Sequence, residues 1–172
     1  WSSDVCSSDL IPPTDPSNKA GGITMIKPGT GEIVAMAQNR LWGRSGKGKT
    51  AVNYNAPLDH NGTVGFQAGS TFKTFTMAAA FKQGWDPFKV LPAPAKKKFK
   101  DFTECEGGAP IPPYEVKNST SSGAFNMLSG AAYSVNTYFV GLEEKIGLCG
   151  PPAMAKAAGL QQGNGEIGRA HV

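Results

Sequence analysis

Histidine and cysteine are scarce in this sequence of 172 residues, which contains two histidines and three cysteines. The internal cysteines, Cys105 and Cys149, lie too far apart along the chain to resemble the closely spaced pairs of a zinc site. Outside the last residues of the chain, His60 is the one histidine, and it cannot complete a zinc-binding set with them. The two cysteines are either buried free thiols or one disulfide, and both alternatives stay open. No metal or other cofactor is expected.

Long apolar runs are also missing, because no stretch reaches the roughly 18 apolar residues that a membrane-spanning helix needs. Hydrophobic residues make up 40% of the chain, which is typical of a folded domain. Few aromatic side chains lie among the basic clusters at 40–49 and 96–100. Nucleic-acid surfaces interleave the two for base stacking, so no nucleic-acid partner is expected. The basic clusters indicate solvated loops, with attraction to an anionic envelope polymer as the alternative.

The two ends of the chain carry segments that are related at the DNA level. Residues 166–172, EIGRAHV, back-translate to a sequence whose reverse complement encodes DVCSSDL, residues 4–10. One oligonucleotide ligated to both ends of a gene fragment and read in frame explains this relation. We therefore expect residues 1–10 and 166–172 to be non-native and derived from a sequencing adapter. Residues 11–165 are then expected to be an internal part of a longer gene.

Local patterns divide the chain into a hairpin, two irregular stretches and several helices. Two apolar runs around a Pro-Gly turn predict a β-hairpin at residues 21–39. The glycine-rich stretch 40–65 predicts a loop, and the proline-rich stretch 85–118 predicts irregular structure. Helical spacing covers residues 70–83, residues 126–147 with a break near Ser134, and a last short helix, PPAMAKAAGL, that begins at paired prolines. A hairpin followed by clustered helices predicts the α+β class.

The stretch GSTFKTF places Ser70 at a helix start and Lys73 one turn later on the same face. A serine hydroxyl becomes a nucleophile beside a base, and a lysine acts as that base when its pKa is lowered. Burial among Phe72, Phe75 and the alanines, and the positive end of the helix dipole, would both lower this pKa. Backbone N–H groups at the helix start can also stabilise an oxyanion. The alternative is that Ser70 only caps the helix while Lys73 faces solvent.

A second polar break, Ser134-Val135-Asn136, interrupts the apolar helical pattern of AAYSVNTYFV. Buried polar groups need hydrogen-bond partners, so this break either faces another polar site or is a satisfied helix junction. Neither short motif is specific by itself. Their order and separation along the chain carry more information than either motif alone.

Together, S-T-F-K at residues 70–73 and S-V-N at residues 134–136 resemble the S-x-x-K and S-D-N motifs of β-lactamases and penicillin-binding proteins. GEIVAMAQN resembles the hairpin that opens the transpeptidase domain of penicillin-binding proteins. NYNA…GFQAGSTFKTF is similar to the approach to their active-site serine, and AAYSVNTYFVGLEEKIG to the helices around their second motif. The resemblance covers about residues 20–160. It implies that residues 11–165 are a partial transpeptidase domain of the β-lactamase/transpeptidase-like α+β fold: an antiparallel sheet packed with helices, a separate all-helical part, and truncation before the last strands.

The resemblance implies the activity of a peptidoglycan D,D-transpeptidase and a role for each motif residue. Ser70 attacks the D-Ala–D-Ala carbonyl of a stem peptide and forms an acyl-enzyme, with Lys73 as the base. Ser134 relays the proton to the leaving group, Asn136 holds the donor's amide, and the backbone N–H of Ser70 supplies one oxyanion donor. An acceptor amine from a second stem peptide then completes the cross-link, and β-lactams trap Ser70 covalently. On this interpretation Ser70 is both the helix cap and the nucleophile.

Two departures from the family pattern refine the expectation. The third motif, Lys-Thr/Ser-Gly, is absent from the sequence, which we attribute to truncation, so this chain alone is expected to be inactive or badly impaired. Val135 stands where β-lactamases usually carry aspartate, which favours penicillin-binding proteins. Similarity around the hairpin favours a class A bifunctional synthase, whose longer parent carries an upstream glycosyltransferase domain and is membrane-anchored and extracytoplasmic. The alternatives are a serine β-lactamase and a non-catalytic penicillin-sensing or wall-binding domain.

Overall fold

A computed structural model describes residues 11–165 of the chain. The expected adapter-derived segments, 1–10 and 166–172, lie outside the described residues. Within them the chain forms two compact units, residues 11–66 with 162–165, and residues 67–161. No helix of the described part is both long and apolar enough to cross a bilayer.

The first unit contains the expected hairpin. Strands β1 (Gly22–Ile26) and β2 (Ile33–Gln38) pair antiparallel, which confirms the prediction for residues 21–39. In the turn, Gly29 and Gly31 have φ values of 82° and 73°, a region that glycine enters without steric cost.

The stretch 40–65 was expected to be a loop, and this prediction is only partly right. It holds two very short strands, β3 (Leu41–Trp42) and β4 (Lys49–Thr50), which pair in parallel, and a 3-10 turn at Leu58–His60. Strands of two residues are too short to show an alternating pattern, so the sequence gives no signal for them.

The second unit holds four α-helices, and their positions confirm the helical predictions. They are α1 (Lys73–Lys82), α2 (Met127–Ala132), α3 (Asn136–Ile146) and α4 (Gly150–Ala157). Helix α2 begins with a reciprocal capping box between Asn126 and Ser129. The paired prolines lie in the first turn of α4, where a missing N–H costs no helical hydrogen bond.

The prediction of irregular structure for the whole of 85–118 is wrong, because three strands lie within it. Strand β5 (Leu91–Ala93) pairs antiparallel with β8 (Gly123–Phe125), and β6 (Lys96–Phe99) with β7 (Tyr114–Lys117). Prolines around β5 and the lysine run in β6 conceal the pattern. In β6 only Phe99 is fully buried, so a single apolar side chain marks the inner face of this strand.

Helix and strand are mixed, as the α+β prediction requires. In residues 11–165 the strands form four separate two-stranded sheets, of which only β3–β4 is parallel. They do not build the larger antiparallel sheet that the resemblance implies. The separate all-helical part and the truncation before further strands stay predictions.

Helix α3 is the centre of the second unit, since it contributes to both hydrophobic clusters. The larger cluster packs its residues Tyr138, Phe139 and Leu142 against Ala79 and Ala80 of α1. In the smaller cluster, Val140 of α3 packs with Phe99 of β6, Phe102 of the loop after β6, and Val116 of β7. Helix α3 is therefore packed on two sides, and this packing positions the side chains of its first turn.

Polar links accompany the packing of α1 on α3. The Thr76 hydroxyl donates a hydrogen bond of 2.9 Å to Oε1 of Glu143, and Gln83 Nε2 donates one of 2.9 Å to the Ile146 carbonyl. Glu143 is only 3% exposed. Burial raises the pKa of its carboxyl to about 7, although the hydrogen bond from Thr76 acts in the opposite direction.

The disulfide between Cys105 and Cys149 settles the alternative that the sequence left open. It links the loop between β6 and β7 to the residue that precedes α4, across 44 positions of the chain.

Candidate active site

Ser70 and Lys73 are adjacent because the chain turns tightly just before α1. Residues Gly69–Phe72 form a 3-10 helix that continues directly into α1 at Lys73. Gly69 enters this turn with φ of 53°, in the left-handed region. Lys73 Nζ lies 3.0 Å from Ser70 Oγ, the separation of a hydrogen bond.

Ser70 is not the helix cap that the sequence suggested. The position before the 3-10 helix belongs to Ala68 and the position before α1 to Phe72, and neither start has a side-chain cap. The Ser70 hydroxyl is directed at Lys73 and Ser134 instead. The 3-10 turn sets the helix start one residue earlier than expected, which leaves the hydroxyl available for other chemistry.

The lysine side chain is buried, with an aromatic ring near its amine. Lys73 is 5% exposed, and its Nζ lies 5.5 Å from the ring centroid of Phe139. Burial lowers the pKa of this amine, because the ammonium loses its hydration. The expected direction is confirmed, and no carboxylate in the described residues hydrogen-bonds or ion-pairs with Nζ to offset it.

Ser134 joins the pair from the break between α2 and α3. Its φ of 51° turns the backbone between the two helices. This conformation aims both of its oxygens at Lys73: the carbonyl lies 2.9 Å and Oγ 3.0 Å from Nζ. Ser134 Oγ also lies 2.9 Å from Ser70 Oγ. The polar break is therefore directed at another polar site, the first of the two alternatives posed by the sequence.

Asn136, the first residue of α3, completes the group. Its Oδ1 accepts a hydrogen bond from Lys73 Nζ at 2.6 Å, and its Nδ2 donates one of 2.9 Å to the Lys117 carbonyl at the end of β7. All four residues that the sequence singled out, Ser70, Lys73, Ser134 and Asn136, thus meet around one amine nitrogen.

The arrangement suits transfer of a proton from Ser70. Four oxygen atoms lie within 3.0 Å of Lys73 Nζ. An ammonium would donate to three of them, whereas a neutral amine would donate to two, such as oxygens of Asn136 and Ser134, and accept the Ser70 hydroxyl proton with its lone pair. Such an amine can take the proton as Ser70 Oγ attacks an electrophile, and Ser134 Oγ offers a second route for protons to and from Ser70.

Sequence reasoning missed two parts of the site. The Lys117 carbonyl has no sequence signal, because any residue at the end of β7 would offer the same backbone group. The Phe139 ring could have been found, since it lies one helical turn after Asn136 in an apolar helix.

Among residues 11–165, no group of three or more His, Cys, Asp or Glu side chains could hold a metal ion.

Comparison with protein families gives one result. The family model described as "Penicillin binding protein transpeptidase domain" matches residues 21–169, which is most of the chain and includes all four site residues. A search of curated proteins finds no match.

Proposed function

The chain belongs to the penicillin-binding protein transpeptidase family, and on that premise we propose that it is part of a peptidoglycan D,D-transpeptidase that works through a serine acyl-enzyme. One observation carries the proposal: Ser70 Oγ, Lys73 Nζ and Ser134 Oγ lie within 3.0 Å of one another. The donor substrate is a stem peptide that ends in D-Ala–D-Ala, and β-lactams are covalent inhibitors.

In the acylation step, Ser70 Oγ attacks the carbonyl carbon of the penultimate D-Ala while its proton passes to neutral Lys73. The resulting oxyanion is stabilised by the backbone N–H of Ser70. The bond to the terminal D-Ala nitrogen then breaks, and Ser134 Oγ delivers a proton to that nitrogen. Because Ser134 contacts both Ser70 and Lys73, it can recover a proton from Lys73, which returns the amine to its neutral form.

In the second step, an amine from another stem peptide attacks the ester carbonyl and releases Ser70. The amine loses a proton, Ser70 regains one, and a new peptide bond cross-links the two stems. Attack by water instead would give a shortened stem peptide, which is carboxypeptidase chemistry. We assign to Asn136 the role of holding the donor's own amide during both steps.

The cellular setting is part of the proposal. The disulfide between Cys105 and Cys149 supports an extracytoplasmic location, since disulfides persist in oxidising compartments. We further propose a class A synthase, with a membrane anchor and a glycosyltransferase domain in the longer parent protein. A long read of the parent gene through both ends of this sequence tests these points and the adapter origin of residues 1–10 and 166–172. The poor activity of this chain alone, which lacks a Lys-Thr/Ser-Gly sequence, stays a prediction.

Labelling by a fluorescent penicillin tests the chemistry in the complete transpeptidase domain. Ser70→Ala should abolish labelling, and Lys73→Ala should suppress it nearly as far, because the hydroxyl then has no base. Ser122→Ala, a change at an exposed serine of the same unit, is the matched control and should label normally. Persistent labelling of Ser70→Ala would refute the assignment of the nucleophile, and normal labelling of Lys73→Ala would refute that of the base.

The fate of the labelled enzyme separates the alternatives. A transpeptidase keeps the penicillin adduct for a long time and cross-links stem peptides. Rapid release of hydrolysed penicillin would indicate a serine β-lactamase. A stable adduct without any reaction on peptide substrates would indicate a penicillin-sensing or wall-binding domain.

A further inference from the structure

Helix α3 begins without a cap from its own sequence. The position before its first residue belongs to Val135, whose side chain has no hydrogen-bonding group. The first N–H groups of a helix have no partner within the helix, and a Ser, Thr, Asp or Asn at this position normally accepts one of them. In α3 the N–H of Thr137 must therefore find its acceptor elsewhere.

Asn118 supplies that acceptor from another part of the chain. Its Oδ1 accepts a hydrogen bond of 2.9 Å from the Thr137 N–H, across 19 positions of sequence. Its Nδ2 donates to the Pro94 carbonyl at 3.1 Å, and its backbone N–H donates to the Ala95 carbonyl at 2.9 Å. The Asn118 amide is thus held at both ends, and it fixes the start of α3 to the segment between β5 and β6.

Thr137 strengthens the same connection. Its hydroxyl donates a hydrogen bond of 2.9 Å to the Pro94 carbonyl, which is also the acceptor for Asn118 Nδ2. Thr137 is fully buried, so an unsatisfied N–H at this position would be costly. The Asn118 side chain, the N–H and hydroxyl of Thr137, and the Pro94 carbonyl therefore form one hydrogen-bond network at the first turn of α3.

This network adjoins Asn136, a residue of the candidate site. Asn136 precedes Thr137, and its Nδ2 donates to the carbonyl of Lys117, the residue before Asn118. Two consecutive residues at the end of β7 thus hold the first two residues of α3. The opposite end of the Asn136 amide, Oδ1, lies 2.6 Å from Lys73 Nζ.

We propose that Asn118 is a positioning residue for acylation: by capping α3 from the end of β7, it holds Asn136 against Lys73. The inference rests on the proposed function and adds to it a residue outside the S-x-x-K and S-x-N motifs. Asn118 acts through Asn136 and does not touch the reacting groups. Loss of its Oδ1 frees the first turn of α3 and lets Asn136 move away from the lysine.

Amide hydrogen exchange in this chain tests the cap itself. Asn118→Ala should reduce the protection of the Thr137 amide by about fivefold to tenfold relative to Val140 and Leu142, the size expected for loss of one helix cap. Asn118→Asp keeps an acceptor oxygen for the Thr137 N–H but loses the donor to the Pro94 carbonyl, so it should retain part of the protection. Gln83→Ala is the matched control, because it removes one hydrogen bond from the far end of α3. Unchanged Thr137 protection in Asn118→Ala would overturn the inference.

Acylation by a penicillin in the complete domain tests the link to Asn136. Measured well below the unfolding temperature, Asn118→Ala should lower the second-order acylation rate constant about fivefold to tenfold, and Asn118→Asp, which keeps the acceptor for Thr137, should lower it less. In an Asn136→Ala background the same change should have almost no further effect, because its route of action is already lost. Gln83→Ala should lower the unfolding temperature but leave the rate constant unchanged.

Two outcomes separate this inference from the proposed function. Failure of the wild-type domain to label at Ser70 overturns the proposed function and this inference with it. If the wild-type domain does label, the proposed function stands and the variants test only the inference. A normal rate in Asn118→Ala, or a defect that is equally large with and without Asn136, would then overturn it.

Discussion

Replacing Glu143 by glutamine is expected to stabilise the protein at alkaline pH and to leave its stability near pH 4 almost unchanged. The carboxyl is 3% exposed and accepts a hydrogen bond from Thr76 between α1 and α3. Glutamine has nearly the same shape and keeps an oxygen for Thr76. It removes only the ability of this side chain to become charged inside the protein.

The magnitude follows from the raised pKa of Glu143. Burial moves the pKa from 4.5 to about 7, so the folded protein keeps its proton over a range in which the unfolded chain has released it. Stability therefore falls as pH rises from about 4.5 to about 7, and the loss is complete above that range. A shift of this size corresponds to about 3 kcal/mol of unfolding free energy. The glutamine variant escapes that loss.

Urea unfolding of wild type and Glu143→Gln at pH 4 and pH 8 measures the effect. Taking the difference between the two proteins at each pH cancels the titration of all other groups. We expect a gap near zero at pH 4 and a gap of about 3 kcal/mol in favour of the variant at pH 8. Glu106→Gln, at an exposed carboxylate, should give no such pH-dependent gap. A glutamine variant that is less stable than wild type at pH 8 would refute the reasoning.

Further predictions concern packing and covalent links, and each can be measured by urea unfolding. Gly130→Ala places a Cβ 2.7 Å from the buried Tyr138 ring, so it should destabilise the protein by about 1–2 kcal/mol even after the gain in helix propensity. Gly141→Ala, also in a helix but with open space at the Cβ, should instead be neutral or stabilising by up to about 1 kcal/mol, and equal losses at both glycines would contradict the packing argument. Replacing Cys105 and Cys149 by serine removes a disulfide that spans 44 positions, and it should lower the unfolding free energy by about 4 kcal/mol through the greater chain entropy of the unfolded state. An unchanged unfolding midpoint of the wild type after reduction would contradict this prediction.

The sequence predicted those parts of the fold and site that depend on local spacing. The hairpin around Lys27-Pro28 and the four helices have periodic patterns, and the structure confirms them. The approach of Lys73 to Ser70 follows from one turn of helix. That Ser134 and Asn136 would join them came from the resemblance to known motifs, since no local rule connects residues more than 60 positions apart.

Other features depend on tertiary contacts that leave no local pattern. The role of Asn118 could not be predicted, because the cap of α3 comes from a strand end and not from the preceding residue. Ser70 was assigned a capping role by its position, but the 3-10 turn changed the direction of its hydroxyl. Strand β6 was missed because a run of lysines covers a single buried phenylalanine, so its pairing with β7 decides the structure where local propensity does not.

The long separation within the Lys73 network ties reactivity to the completion of folding. Helices α1 and α3 can form from neighbouring residues, but the contacts of Lys73 with Ser134 and Asn136 span 61 and 63 positions. They require closure of the intervening loop, which has an entropic cost. Until then the lysine is hydrated and charged, and Ser70 is an ordinary alcohol. For the nucleophile proposed above, activation of Ser70 would therefore require the folded domain.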